Sequence, residues 1–177
     1  MADFYQKITE SQGSVEDLIR KIPGFSGYFE KQDRRAADRL LREHLARAFE
    51  DQLAEFTRLQ KELIDKTGLT YMERVQGIDT KLRTFIDRIQ SAAQGYAGLF
   101  DAVKVKEDAL ARIYAFDNAL LGYEQQLETG LASLESAVMG DEGNVENVLR
   151  QLDSVVTEAN NTFKRRVEAM QSAADAV

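Results

Sequence analysis

Four long stretches of this chain carry apolar side chains at steps of three and four residues. Only two long links, at 22–28 and 94–105, combine glycine with aromatic residues. A period of three to four is one face of an α-helix, and a helix with such a face must bury it against another. The pattern therefore dictates an all-α fold. It specifies an architecture and no reaction.

The first periodic stretch places Phe4, Ile8, Val15, Leu18 and Ile22 near one side of a helix, with Gly13 and Ser14 interrupting it. Ser14 followed by Asp17 reads as a helix restart. Its polar face mixes Asp3, Glu10, Glu16 and Asp17 with Lys7, Arg20 and Lys21. A helix lying on anionic lipid has a more uniformly basic face, so this segment is expected to pack on the main body rather than on a membrane.

The second stretch runs from about Tyr28 to Lys66, with Ala37, Leu41, Leu45, Phe49, Leu53, Phe56, Leu59 and Leu63 in phase. At 1.5 Å per residue it is about 58 Å long. Gly68 supplies a stop, and Thr70 with Glu73 spells a capping box for the next helix. Tyr71, Val75, Ile78, Leu82, Phe85 and Ile89 make the third stripe, which fades at Ala93. The fourth begins near Lys106 and carries Leu110, Ile113, Leu120, Leu127, Leu131, Leu134 and Val138, ending at Gly140 and Gly143. The last contains Val145, Leu149, Leu152, Val156, Ala159, Phe163, Val167 and Met170, and frays after about Ala173.

Two short links imply antiparallel neighbours. The expected fold is an antiparallel up-down four-helix bundle over residues 28–173, with a short N-terminal helical segment at 1–22, in one domain spanning 1–177. The third helix is much shorter than the second. The segment 94–105, with Tyr96, Leu99, Phe100, Val103 and Val105, is expected to cover the remainder near Phe25, Tyr28 and Phe29. That end is termed the loop end here, and the other, with the two short links, the turn end.

One proline, 30% charged and 44% apolar residues in a 177-residue chain suit a helical protein with a sizeable core. Cysteine is absent, which removes disulfide and thiolate chemistry and is compatible with a reducing cytosol. The first residues lack a basic region followed by an apolar run, so they read as no signal peptide. No apolar stretch approaches the roughly 20 residues that span a bilayer. A cytoplasmic location is expected. The net charge of −7 argues against indiscriminate nucleic-acid binding.

Charge is distributed unevenly. From Glu107 to Glu158 there are eleven acids, opposed only by Arg112 and Arg150. The loop end gathers Arg34, Arg35, Arg39, Arg42, Lys104, Lys106, Lys164, Arg165 and Arg166, which are far apart in sequence. Such a cluster is either a solvated, partly neutralised surface or a docking site for an acidic protein, a phosphate or a lipid headgroup. Tyr96 and Phe100 either cap the core beside it or join it as an exposed patch.

Two segments resemble known sequence. They are Ile22-Pro23-Gly24-Phe25-Ser26-Gly27-Tyr28, followed by Asp33-Arg34-Arg35 and the run from Ala37 to Glu43, and Gly95-Tyr96-Ala97-Gly98-Leu99-Phe100-Asp101-Ala102-Val103-Lys104. Together they resemble an uncharacterised family of small prokaryotic all-helical proteins, over roughly Leu18 to Leu121. The resemblance implies no activity and no catalytic residues. A looser similarity, in helicity and size only, is to phage-shock and ESCRT-type membrane-remodelling proteins.

Asp117 and Glu124 fall within an apolar stripe, so each must be paired, solvated or protonated. His44 and Arg166 are expected at Asp117's level, and Gln52 or Arg47 near Glu124. A polar pair that sets helix register is the favoured reading; metal or acid–base chemistry is the other. A di-iron bundle needs Glu-x-x-His on two helices, and hydrolytic zinc needs more nitrogen or sulfur ligands than the single His44 supplies. No phosphate-cradling or dinucleotide glycine motif is present, and Gly24, Gly27, Gly95 and Gly98 read as turn residues.

The expected function is thus non-enzymatic, with no catalytic residue, cofactor or metal. The chain reads as a scaffold or adaptor that binds a protein partner or forms a homo-oligomer. The candidate contact residues are Arg34, Arg35, Arg39, Tyr96, Phe100, Lys104, Lys106, Lys164, Arg165 and Arg166. The alternative is an anionic-surface binder using the same basic end, without sequence-specific nucleic-acid recognition.

Overall fold

The computed structural model describes residues 15–27, 34–92, 107–140 and 144–175, and among them there is no strand. Helix α1 covers residues 15–21. It is followed by α2 (Arg34–Thr67), α3 (Met72–Ser91), α4 (Glu107–Met139) and α5 (Val145–Asp175). The fold is all-α, and the four long helices alternate in direction along the chain, as the stripes require. Their described ends fall within about two residues of those read from the sequence, except that α2, read from about Tyr28, is described from Arg34.

One cap differs. Helix α3 starts at Met72, with Tyr71 at its N-cap and no side chain capping it. The Thr70 hydroxyl instead donates to the Thr67 carbonyl at 2.8 Å. Thr70 lies inside a tight link, where the free carbonyl at the end of α2 competes successfully for its hydroxyl. Gly68 stops α2 as expected: its φ is 63°, and its N–H reaches the Ile64 carbonyl at 2.8 Å. Asn144, missed in the sequence, caps α5 by accepting from the Asn147 N–H at 3.1 Å.

The main contacts join α2 to α3, α4 to α5, α2 to α4 and α3 to α5. Two antiparallel hairpins therefore lie side by side, and the helices that meet across the seams, α2 with α4 and α3 with α5, run parallel. Hydrogen bonds across both seams repeat a sequence separation of 72: Gln52 to the Glu124 carbonyl, Lys66 to the Val138 carbonyl, Lys81 to Asp153, and Arg88 to Asn160. Within the second hairpin, Gly130 allows close approach. A Cβ there would sit 2.6 Å from Leu152 Cδ2.

The core changes character along the bundle. Phe56, Leu59, Ile78, Leu82, Leu127, Leu131, Leu152 and Val156 fill the part covered by all four long helices. Above them Phe85 packs against Phe49 at 4.4 Å and edge-on against Phe163 at 6.0 Å, geometries that favour ring quadrupoles. Helix α3 then runs out: Gln90, near its last residue, donates to Glu50 at 2.7 Å. Beyond that level α1 joins the core. Val15, Leu18, Ile22 and Phe25 are buried in the same cluster as Leu41 and Leu45, and each buried aliphatic side chain stabilises by roughly 1.5–3 kcal/mol. Gly24 and Gly27, at φ 81° and 89°, turn the chain on either side of Phe25. A Cβ at Gly24 would lie 3.7 Å from Leu40, which fixes the level of the turn against α2. So α1 packs on the body, as its mixed polar face suggests. The expected covering role of 94–105, and Tyr28, Phe29, Gly95 and Gly98, fall outside the described residues.

Phe56 and Leu127 are 1% and 0% exposed. Truncating either to alanine should cost about 2–5 kcal/mol through lost transfer energy and an unfilled cavity. Urea denaturation of the two variants checks this, and near-neutral effects in both would overturn the helix phases described above.

Candidate functional site

The interior of the loop-end half contains a charged cluster built from three helices. Asp38 on α2, Asp117 on α4 and Arg166 on α5 are 1%, 0% and 0% exposed. Each lies on a buried stripe: Asp38 three residues before Leu41, Asp117 between Tyr114 and Leu120, Arg166 between Phe163 and Met170. Arg166 Nε donates to Asp117 Oδ1 at 2.5 Å, and its Nη2 donates to Asp38 Oδ1 at 2.9 Å. Its Nη1 points at the Met170 sulfur at 3.1 Å. Asp38 also accepts from Arg42 Nε at 2.8 Å. The guanidinium thus crosses from α5 to α2 with α4 beside it. Burial of these charges is costly, and mutual pairing with near-complete hydrogen bonding is what makes it tolerable.

The structure brings Arg166 to Asp117 as the sequence implied. It does not bring His44 there, because the space is taken by Arg166 and Asp38. His44, on α2, instead meets Glu124, two turns beyond Asp117 on α4, with Nε2 3.0 Å from Glu124 Oε2 in a half-buried seam. Gln52 meets Glu124 through its backbone carbonyl rather than its carboxylate. Arg47 is exposed and lies 3.7 Å from Glu43. Asp38 was missed, although its place in phase with Leu41 and Leu45 is the signal that marked Asp117.

The candidate contact residues divide. Arg166 and Arg34 are 0% and 6% exposed, so neither belongs to an open surface. An arginine on a core stripe turns inward wherever carboxylates on facing helices can receive it. Arg35, Arg39, Lys164 and Arg165 are exposed. The Arg166–Asp38 bond sets the start of α2 level with the second half of α5, so these four share one end of the bundle. Arg39 lies 3.8 Å from Glu43, Lys164 3.9 Å from Glu168 and Arg165 3.6 Å from Glu158. Such exposed pairs hold little energy. Tyr96, Phe100, Lys104 and Lys106 lie outside the described residues.

The acidic α4–α5 hairpin is less unbalanced than its sequence suggests, because α2 and α3 supply the counter-charges. Arg74 meets Glu146 at 3.0 Å and Lys81 meets Asp153 at 2.6 Å. Arg58 gathers three carboxylates, Glu55, Glu62 and Glu135, at 2.5, 2.5 and 2.6 Å. Its hydrogen bond holds the Glu55 carboxyl below its ordinary 4.5, against a smaller opposing effect of burial. On the outer side of the same hairpin, an open groove of about 590 Å³ is lined by uncharged residues, among them Gly122, Gln126, Thr129, Ser133, Gln151 and Val155. No helix among the described residues is long and apolar enough to cross a membrane.

Comparison of the chain with protein families, with curated proteins and with solved structures finds no match.

Two measurements test the electrostatics. Replacing Arg166 by methionine strands Asp117 and should cost about 3–5 kcal/mol. Asp117→Leu should cost less, since Arg166 keeps Asp38. The double variant should recover part of the loss, a coupling that a double-mutant cycle in urea reads directly; simple additivity would contradict the cluster. The Glu55–Arg58 contact has the sign of a depressed carboxylate. Its contribution is present above pH 4.5 and is lost as pH falls through the lower folded value. Arg58→Ala should therefore lower the urea midpoint slightly at neutral pH, and the difference from wild type should vanish in acid.

Proposed function

We propose that the protein is a non-enzymatic helical scaffold that docks an acidic protein surface with its loop-end half. The carrying observation is the Arg166–Asp38 bond, which sets the start of α2 beside the second half of α5. Through it, Arg35 and Arg39 share an end with Lys164 and Arg165, although about 125 residues of chain separate the two groups. The acidic neighbours of Arg39, Lys164 and Arg165 stand 3.6–3.9 Å away and are themselves about half exposed. A partner carboxylate can displace such neighbours at little cost. The polar groups of the interior support the same reading. Arg166, Asp117, Asp38 and Arg42 bond to one another, and that mutual pairing serves the fold.

The chain as bait in native lysate, with mass-spectrometric identification, tests this. Proteins captured at low salt should be lost from a variant carrying Arg35→Glu, Arg39→Glu and Arg165→Glu. They should be retained by a turn-end variant carrying Asp65→Lys and Glu73→Lys. All five positions are exposed, so the fold should survive each set, as circular dichroism will confirm. Capture unaffected by the loop-end set, or abolished by the turn-end set alone, overturns the assignment. Transfer of the same charge dependence to anionic vesicles in co-sedimentation, without captured protein, replaces it with lipid binding.

A further inference from the structure

We infer that the uncharged outer face of the α4–α5 hairpin is a contact between two copies of this chain, which pair through it about a two-fold axis. The inference concerns a different surface from the loop-end docking site and does not depend on it.

In a chain with 30% charged residues, the side of α4 that looks away from the core carries no charge from Ala115 to Ala137. The acids of that span are used elsewhere: Asp117 pairs with Arg166, Glu124 with His44 and Glu135 with Arg58. Glu128, two residues from Gln126, stands on the opposite side of the helix from it. What remains on the face is symmetric about Gln126. Four residues away on either side are Gly122 and Gly130, seven away Ala119 and Ser133, eleven away Ala115 and Ala137. Such steps keep to one face of a helix, and none of these residues is buried. The groove of about 590 Å³ runs beside this line, with Leu152, Gln151 and Val155 of α5 on its other side. The side-chain amides of Gln125, Gln126 and Gln151 bond no group among the described residues. A Cβ at Gly122 would meet nothing within 4 Å. The packing of the bundle therefore does not ask for glycine there, in mid-helix, where alanine is the more stable choice.

These properties select a copy of the same face as the occupant. A two-fold contact sets each group near its own counterpart, so in a chain of net charge −7 only an uncharged face meets itself without repulsion. An amide carries donors and an acceptor together and can pair with another amide, which a carboxylate or an ammonium cannot do with its own kind. With two α4 helices antiparallel and Gln126 at the axis, Gly122 meets Gly130, Ala119 meets Ser133 and Ala115 meets Ala137. No bulky side chain then holds the helices apart. The line from Ala115 to Ala137 is about 33 Å long. Two helices wide, the face covers roughly 650 Å², within the ~600–1,000 Å² per partner of standard complexes. Antiparallel pairing sends the two loop-end halves to opposite ends of the dimer.

Sedimentation equilibrium of the purified full chain, from micromolar to millimolar concentration, tests this. The average mass should rise with concentration and stop at two chains. Raising salt to roughly 1 M should not weaken the dimer, since screening there removes only repulsion between the chains. Gln126→Glu and Gln126→Lys should each weaken it by roughly tenfold or more, because each sets two like charges at the axis. Mixed in equal amounts they should associate again, since opposite charges then meet. That recovery is specific to a residue that faces its own copy. Gly122→Leu should abolish the dimer by blocking close approach. Its melting temperature in dilute solution should be unchanged or raised, because the bundle has room for the side chain and leucine favours a helix. Circular dichroism establishes that each variant is folded. A monomer at every concentration overturns the inference. So does a dimer indifferent to Gln126→Glu and Gly122→Leu, and so does failure of the mixed Gln126 variants to associate.

Discussion

A buried guanidinium is the least forgiving group in this molecule. Arg166 is fully enclosed, and its ionised form survives there only because Asp117 and Asp38 approach from two other helices. A charge left unpaired in such a site costs several kcal/mol, far more than most apolar mispackings. Three long helices must therefore keep one axial register and one rotation. An apolar stripe alone tolerates small slides, since leucine packs nearly as well against several neighbours. The cluster removes that freedom. Asp38 extends the constraint by holding Arg42 on its second oxygen.

The polar seams carry the same register toward the turn end. Lys66, Gln52, Lys81 and Arg88 each reach a residue 72 positions later. These bonds are half-exposed and individually weak. Their shared spacing matters because it matches the register that Arg166 enforces at the far end. Agreement between independent local choices is what separates one native arrangement from its slipped competitors.

The apolar periods were enough to read the helices, their approximate ends and the all-α architecture. They were enough for Asp117 too, because a carboxylate in phase with Tyr114 and Leu120 is conspicuous. Asp38 carried the same signal but sits beside arginines, and a charge among charges reads as surface. Arg166 was read both as a neighbour of Asp117, which holds, and, beside Lys164 and Arg165, as part of the basic surface, which its burial excludes. Position on the helix separates them: Arg166 follows Phe163 by three residues and precedes Met170 by four, while its two neighbours point away. The pairing of His44 with Glu124 was not legible. It depends on how far α2 and α4 slide past each other, and one-dimensional periodicity has no term for that. Counting acids on α4 and α5 overstated their field, because Arg58, Arg74 and Lys81 belong to the other hairpin.

The short α3 links these features. Where it ends, near Glu50, the bundle loses one of its four apolar walls. A bundle of this kind can close the gap with added apolar chain or with polar groups that satisfy each other. This protein does both. Helix α1 brings Val15, Leu18, Ile22 and Phe25 against α2, and the Arg166 cluster occupies the interior of the same half. The result is a half with mutually paired charges inside and, outside, the exposed cations Arg39, Lys164 and Arg165, each 3.6–3.9 Å from an acidic neighbour. The fully covered half differs, with an apolar interior and its charges paired in seams between helices. Differences in packing along one bundle thereby become differences in how its two halves hold charge, buried and shared among three helices in one, spread through half-exposed seams in the other.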